Sequence, residues 1–385
     1  MNFRKATVTY EKWLAEELEI VPEDLARKHQ LMRETLFPFF RATFYRWAQL
    51  FPEVCPDCAS APELLAVGDL HVENFGTWRD AEGRLIWGMN DFDEVSSMPY
   101  TIDLVRLSAS AHLAIDSEQL RIAHREACGA ILSGYKACLE AGGAPWVLGG
   151  KHAWLYEMVK PSLRDPPLFW QKLEALPTFT GRIPGNAREG LERMMPVKDS
   201  KYRIVHRAAG MGSLGRQRFV AIADWNGGPL CREAKALAPS AWDWARGIVK
   251  KDRESQKIRY QKALDTAIRT IDPFVRLQGK WIVRRLAPDC SKIDLAAFPS
   301  AKDETRLLHA MGWETANLHL GSERATDILA DLSRRRGNWL HKAAANMVIA
   351  TKKDWKEWQA ATEETSVGMS ADAAGVSARA GATKK

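Results

Sequence analysis

Apolar residues recur at helical spacing through residues 10–50, where Trp13, Leu14 and Leu18 are followed by Leu36, Phe39 and Phe40, so the chain is expected to open on helices. The period then shortens. GTWRDAEGRLIWG, residues 76–88, reads as strand, turn, strand, with Asp80 to Gly83 as the turn and Leu85 to Trp87 entering the second strand. Helical spacing returns from about Thr101 or Asp103 through Leu113, and residues 117–141 read as another helix closed by Gly142 and Gly143. Region 142–198 is rich in proline, glycine and tryptophan, which suits a surface wrap or a joint between lobes. Residues 202–237 read as strands turned at Asn226-Gly227-Gly228, and WIVRRLAPD (281–289) as a strand broken by Pro288, suited to a link between lobes. LLHAMGWETANLHLG (307–321) predicts an amphipathic helix bounded by Gly321, with helices continuing to about Gln359. From Ser366 onward the small, basic composition predicts a disordered tail.

Set on this pattern, GDLHVENFGTWRDAEGRLIWGMNDFDEV (68–95) gathers Asp69, Asn74, Asp91 and Asp93 in an otherwise apolar stretch. Asp and Asn are ordinary turn residues, and for Asp80 and Glu82 that reading suffices. For Asp69 and Asn74 the spacing says more. D-L-x-x-x-N is the spacing of a kinase catalytic loop, and Asp91 just after an apolar strand stands where such enzymes keep a metal-binding aspartate. In-line phosphoryl transfer needs these types: a carboxylate to orient or deprotonate the acceptor hydroxyl, and oxygen ligands for Mg²⁺. Asp93 is an auxiliary candidate. Gly210, Gly212 and Gly215, with Ser213 among them, form G-x-G-x-x-G, but RQRFVAIADW continues as a strand where a dinucleotide fingerprint requires a helix. Strand, glycine turn, strand is the phosphate-covering arrangement of kinases. Lys235, on the next strand, is then the candidate phosphate countercharge. Glu233 on the same strand face is a candidate neutraliser of it, and Glu254 on the following helix a candidate ion-pair partner.

Length and composition admit this without requiring it. At 385 residues the chain suits about two domains or lobes, and a net charge of +7 favours anionic partners. The start of the sequence lacks the apolar core of a signal peptide and no long apolar run follows, so a cytoplasmic protein with no membrane partner is expected. Cys55-x-x-Cys58 lacks the second pair of a zinc ribbon, and the six cysteines read as reduced thiols. KKDRESQKIRYQK and SRRRGNW raise nucleic-acid binding as a less favoured reading, since such runs usually form solvated helix faces.

With these parts together, the chain resembles the protein-kinase-like superfamily in its aminoglycoside-phosphotransferase branch. GDLHVEN is similar to that branch's G-D-L-H-x-x-N loop, NDFDE to its I-D-F-D strand end, and IDLVRL to the helix that follows. More closely, GDLHVENFGTWRD, GMGSLGRQRFV, REAKAL, WIVRRLAPD and GWETANLHLGS resemble the bacterial family called domain of unknown function 2252 over most of residues 10–360. The resemblance implies an α+β, two-lobed kinase-like fold. Because Asp69 precedes Gly210 by about 140 residues, it also implies circular permutation, with the catalytic loop before the glycine loop. The expected parts are 1–198, a large-lobe portion with the catalytic loop; 199–295, a small nucleotide-binding lobe; 296–365, helices returning to the large lobe; and 366–385, the tail. The implied function is ATP- and Mg²⁺-dependent phosphotransfer to a hydroxyl on a small molecule or protein, nucleotidyl transfer being a variant. Asp69 would be the base, Asn74 and Asp91 would hold metal, and Asp103 would brace the catalytic loop unless it is simply a helix N-terminal residue. His71 and His319 read as structural. A nucleotide-binding pseudokinase with a regulatory role is the alternative.

Overall fold

In the computed structural model, which describes residues 1–292, 295 and 303–380 and side chains as far as Ala360, helices do open the chain: α1 (Phe3–Glu17), α2 (Pro22–Glu34), α3 (Leu36–Ala42), α4 (Phe44–Val54) and the single turn α5 (Pro56–Ala59). β1 (Glu63–Ala66) pairs with β4 (Ser96–Pro99), and between them lies the hairpin β2 (Phe75–Arg79) and β3 (Leu85–Met89). Asp80 makes the hairpin turn, its Oδ1 accepting from the amides of Glu82 and Arg84 at 3.0 and 2.9 Å.

Two long helices follow, α6 (Thr101–Asp116) and α7 (His124–Ala141). α7 begins seven residues later than the apolar spacing suggests, because Glu118 takes a positive φ of 58° and breaks the chain there; it ends as expected at left-handed Gly142. After β5 (Trp146–Val147), which extends the hairpin sheet, α8 (Ala153–Val159), α9 (Pro166–Glu174) and α10 (Gly185–Arg193) occupy the proline-rich region.

β6 (Arg203–His206), β7 (Arg218–Trp225), β8 (Gly228–Ala236), β9 (Val275–Gln278) and β10 (Trp281–Leu286) form one antiparallel sheet in the order β6-β7-β8-β10-β9. The β7–β8 turn has φ of 48° at Asn226 and 84° at Gly227, the positive pair that a two-residue hairpin turn demands. α11 (Ala241–Ala245) and α12 (Gln256–Thr266) leave the sheet after β8 and return the chain to β9. Alternation along the strands gives the sheet two faces. Phe219, Ala221, Ala234, Trp281 and Val283 pack with Ala187 and Leu191 of α10, while Val220, Ile222, Cys231 and Leu286 pack with Phe169 and Leu173 of α9. The second face changes character along its length: Arg218, Glu233, Lys235 and Arg284 share it.

α13 (Glu304–Leu320), α14 (Ala325–Arg334) and α15 (Trp339–Ala380) rejoin the opening helices around one large core. α13 is buried on most sides and lies close against α7; a Cβ at Gly134 would fall 1.9 Å from His309 O, and one at Gly312 2.0 Å from Ile131 O. It is thus a core helix rather than a surface one with a single apolar stripe. α15 continues through 366–380, where a tail without structure was expected; alanine there favours helix. Residues 381–385 and the start of the 296–365 segment lie outside the described residues.

Candidate functional site

The GDLHVEN segment is a turn held from behind. Asp103, fully buried at the start of α6, accepts from the amides of Val67 and Gly68 at 2.8 and 2.7 Å, and His319 Nε2 stands 3.0 Å from the same carboxylate with Tyr135 OH on its other nitrogen at 2.7 Å. Gly68 has φ +79°, and a Cβ there would meet Phe44 Cζ at 2.7 Å, so only glycine fits. Asp103 therefore ties the turn to the start of α6, and His319 backs that carboxylate from α13.

The turn presents Asp69 to Arg106. Arg106 Nε and Nη2 lie 2.9 and 2.5 Å from Asp69 Oδ1, while its guanidinium packs on the rings of Phe40, Phe44 and Trp47 and donates to Phe40 O. Burial pushes the Asp69 carboxyl up against the pull of Arg106. Asn74 Nδ2 donates to Asp69 O at 3.1 Å, leaving Asn74 Oδ1 buried with no hydrogen-bond partner. His71 accepts from Glu73 N at 3.2 Å through Nδ1, and burial holds its imidazole well below the usual range, so it stays neutral.

Just beyond β3, Asp91, Asp93 and Glu94 meet cations from distant parts of the chain. Lys235 Nζ lies 2.6 Å from Asp93 Oδ1 and 3.5 Å from Asp91 Oδ1; Lys292 Nζ approaches Asp91 Oδ2 at 3.4 Å. Burial opposes charge on Asp91, but Lys235, Lys292 and Arg284 outweigh it and hold the carboxyl well below the carboxylate range. Arg216, from the end of the glycine loop, binds Glu94 at 3.0 Å and Asp93 at 3.5 Å. Glu94 also accepts from Ala241 N, and burial pushes its carboxyl up.

The glycine loop itself bends with φ +79° at Gly210 and +93° at Gly215, and a single 3₁₀ turn, Met211–Ser213, forms its tip. Val21 N bonds Gly215 O at 2.8 Å, Lys28 Nζ bonds Gly212 O at 3.3 Å, and Arg218 reaches Ser213 Oγ at 2.8 Å. Burial, then the neighbouring Arg216, brings the Lys28 ammonium down to about 8. The tip closes over Asp69: a Cβ on Gly212 would sit 3.3 Å from Asp69 Oδ2. Asp69 and Asn74 consequently line only a small void of about 40 Å³.

That void shares Arg41, Asp91, Lys292 and the loop tip with a cavity of about 800 Å³ between the sheet and the helical body. Eleven arginines and lysines against four carboxylates line the large cavity, so it carries a strong positive potential. Phe92, Tyr260, Leu264 and Leu277 give it an apolar side.

The residues singled out in sequence thus converge, with two exceptions. Glu254 is half exposed and bonds Arg259 at 3.3 Å instead of Lys235, because it lies in the exposed stretch before α12 and Lys235 finds its partners after β3. Glu233 does not neutralise Lys235 either; Arg207, Arg218 and Arg284 surround it. Sequence reasoning missed Arg106, Arg216 and Lys292. Arg106 had a signal, a lone cation inside the apolar helix IDLVRLSASAHLAI, whereas Lys292 follows a loop with no pattern at all.

The model of a bacterial family described as uncharacterized protein conserved in bacteria, DUF2252, matches residues 20–158 and 172–361. No curated protein and no solved structure matches the chain. No helix among the described residues is long and apolar enough to cross a membrane.

Proposed function

The chain belongs to this family of bacterial proteins, DUF2252, and we propose that it is a circularly permuted, kinase-like phosphotransferase that uses Mg-ATP. The observation that carries the reading is the meeting of Lys235 and Asp91, at 3.5 Å, beneath a glycine loop and at the wall of a cationic cavity. A glycine turn between the first two strands of the sheet, a lysine on the third and a helix after it follow the order of parts in a kinase small lobe. The permutation has its own support. The end of α13 lies against the start of the GDLHVEN turn, with Ser322 Oγ 3.2 Å from Leu65 N and His319 on Asp103, so the order sheet, α13, catalytic turn is continuous in space though not in sequence.

The donor set suits the cofactor. Asn74 Oδ1 is a buried oxygen in want of a partner and Asp91 is an ionised carboxylate on the same void, the hard oxygen pair that Mg²⁺ takes. When bound, Mg-ATP supplies the transferable phosphoryl group. Lys235 and the arginines of the cavity offset phosphate charge, and amides of the glycine loop can approach phosphates where no Cβ intervenes. Asp69 Oδ2, the oxygen not engaged by Arg106, takes the acceptor proton; Arg106 holds the other oxygen and so fixes the direction of the free one. Because Gly212 covers that oxygen, acceptor binding requires the loop tip to lift away from α2 and α3.

Incubating the purified chain with Mg-ATP and bacterial extract, then searching by mass spectrometry for the mass of a phosphate or an AMP gained by a protein or metabolite, tests this. A phosphate gained with wild-type protein and absent with Asp69→Asn is the expected result. Nucleotide bound but no transfer to any acceptor would favour the regulatory pseudokinase.

A further inference from the structure

Outside the lining of this cavity, α6, α7 and α15 bring three soft or borderline donors together. His112 of α6, Cys128 of α7 and His341 of α15 each offer one ligand atom, and these atoms lie within 4.8 Å of one another. His112 Nε2 is 3.3 Å from Cys128 Sγ, and His341 Nδ1 is buried with no hydrogen-bond partner. His124, one helical turn before Cys128 on α7, stands beside them with its ring centroid 4.5 Å from that of His112. Its Nε2 is bonded to Asp116 Oδ1 at 2.9 Å, and Lys352 holds the other oxygen of Asp116 at 2.8 Å. A carboxylate behind an imidazole is the relation that orients a metal-binding ring.

We propose that His112, Cys128 and His341, with His124 as the fourth donor, form a zinc site that ties α15 to α6 and α7. Two of the donors are buried, and thiolate with imidazole is the set that Zn²⁺ prefers over the oxygen-seeking Mg²⁺. An imidazole ligates through the lone pair of a neutral ring nitrogen, and His341 Nδ1 is such a nitrogen left without a partner. Binding exchanges the Cys128 S–H bond for an S–Zn bond and releases that proton to solvent. The site would act through position. α6 carries Asp103 and Arg106, which hold the Asp69 turn, and α15 carries Asp354, which binds Arg46 at 2.9 Å.

The test uses the full chain without a histidine tag, dialysed against chelator and titrated with Co²⁺ and then Zn²⁺. A tetrahedral cobalt spectrum with a thiolate charge-transfer band, displaced by zinc, is expected. Cys128→Ser should remove the band, and His112→Ala should weaken metal binding about a hundredfold or more, beyond the roughly 10–100-fold effects of outer partners. Cys55→Ala with Cys58→Ala should change neither. Should the helix variants fail to fold, zinc protection of Cys128 from alkylation in the wild-type chain, read by peptide mass spectrometry, replaces them. A thiolate band surviving in Cys128→Ser, or Cys128 alkylated equally with and without zinc, overturns the site.

Discussion

Two clusters of charge share one face of the five-stranded sheet, yet they are built to opposite ends. Glu233 is wholly buried and saturated, with Arg207, Arg218 and Arg284 at 2.7 to 3.0 Å. Three cations outweigh its burial and hold it well below the carboxylate range. Two residues along the strand, Lys235 faces Asp91 and Asp93, and Asp91 touches its two lysines only at 3.4 and 3.5 Å while a cavity opens beside it. A closed cluster spends its charge on the fold. An open one, with Asn74 Oδ1 still unpartnered nearby, keeps coordination free for something else.

If the closed cluster is structural, Glu233→Ala leaves three arginines without their counter-charge, and stability should fall by roughly 3–5 kcal/mol. Denaturant unfolding followed by circular dichroism measures this; a loss below about 1 kcal/mol would erase the distinction between the clusters. Glu314 supplies an intermediate case. It is buried against Met89 N and Asn317 Nδ2, and burial, only partly offset by Arg269, raises it from 4.5 to about 7. A raised carboxyl lends its stability in full below the unfolded value and loses it as pH climbs through the folded one. Wild-type stability should therefore decline between pH 4.5 and 7 by up to about 3 kcal/mol. Glu314→Gln should flatten that slope, and an unchanged slope would show that another group titrates there.

At the open cluster the order of effects reverses. Lys235→Ala should cost Mg-ATP affinity about tenfold or more while lowering stability less than Glu233→Ala does, because Asp93 retains Arg216. Equal damage to folding would make Lys235 another structural cation. The smallest effect belongs to the C-terminus: ending the chain after Gln359 keeps Trp355 and Trp358 in place against the core and should change neither melting temperature nor nucleotide affinity measurably.

Local structure was the legible part of the sequence. The 76–88 hairpin, the Asn226-Gly227 turn and the Gly142 cap each follow from backbone preferences of a few neighbouring residues. The helix start at His124 did not, since Glu118 adopts a positive φ that its side chain does not advertise. Candidate site residues were legible by spacing and resemblance, but their pairings were not. Periodicity says which face a residue takes and nothing about which distant element meets it, so Lys235 was matched with Glu254 or Glu233 when Asp93 holds it at 2.6 Å. Lys292 and Arg216 enter through loop geometry alone, and the closure of Gly212 over Asp69 depends on α2 clamping the loop from the other end of the chain.

The most direct test of the open cluster is calorimetric titration of the wild-type chain with ATP, with and without Mg²⁺, beside Asp91→Asn and Asp69→Asn. Saturable, magnesium-dependent binding is expected in wild type, severely weakened in Asp91→Asn, which removes the anionic charge of the proposed metal ligand, and nearly intact in Asp69→Asn, since the proposed role of Asp69 is toward the acceptor. Folded wild-type protein that binds no nucleotide, or that binds it equally well as Asp91→Asn, would contradict the assignment of this cavity to Mg-ATP.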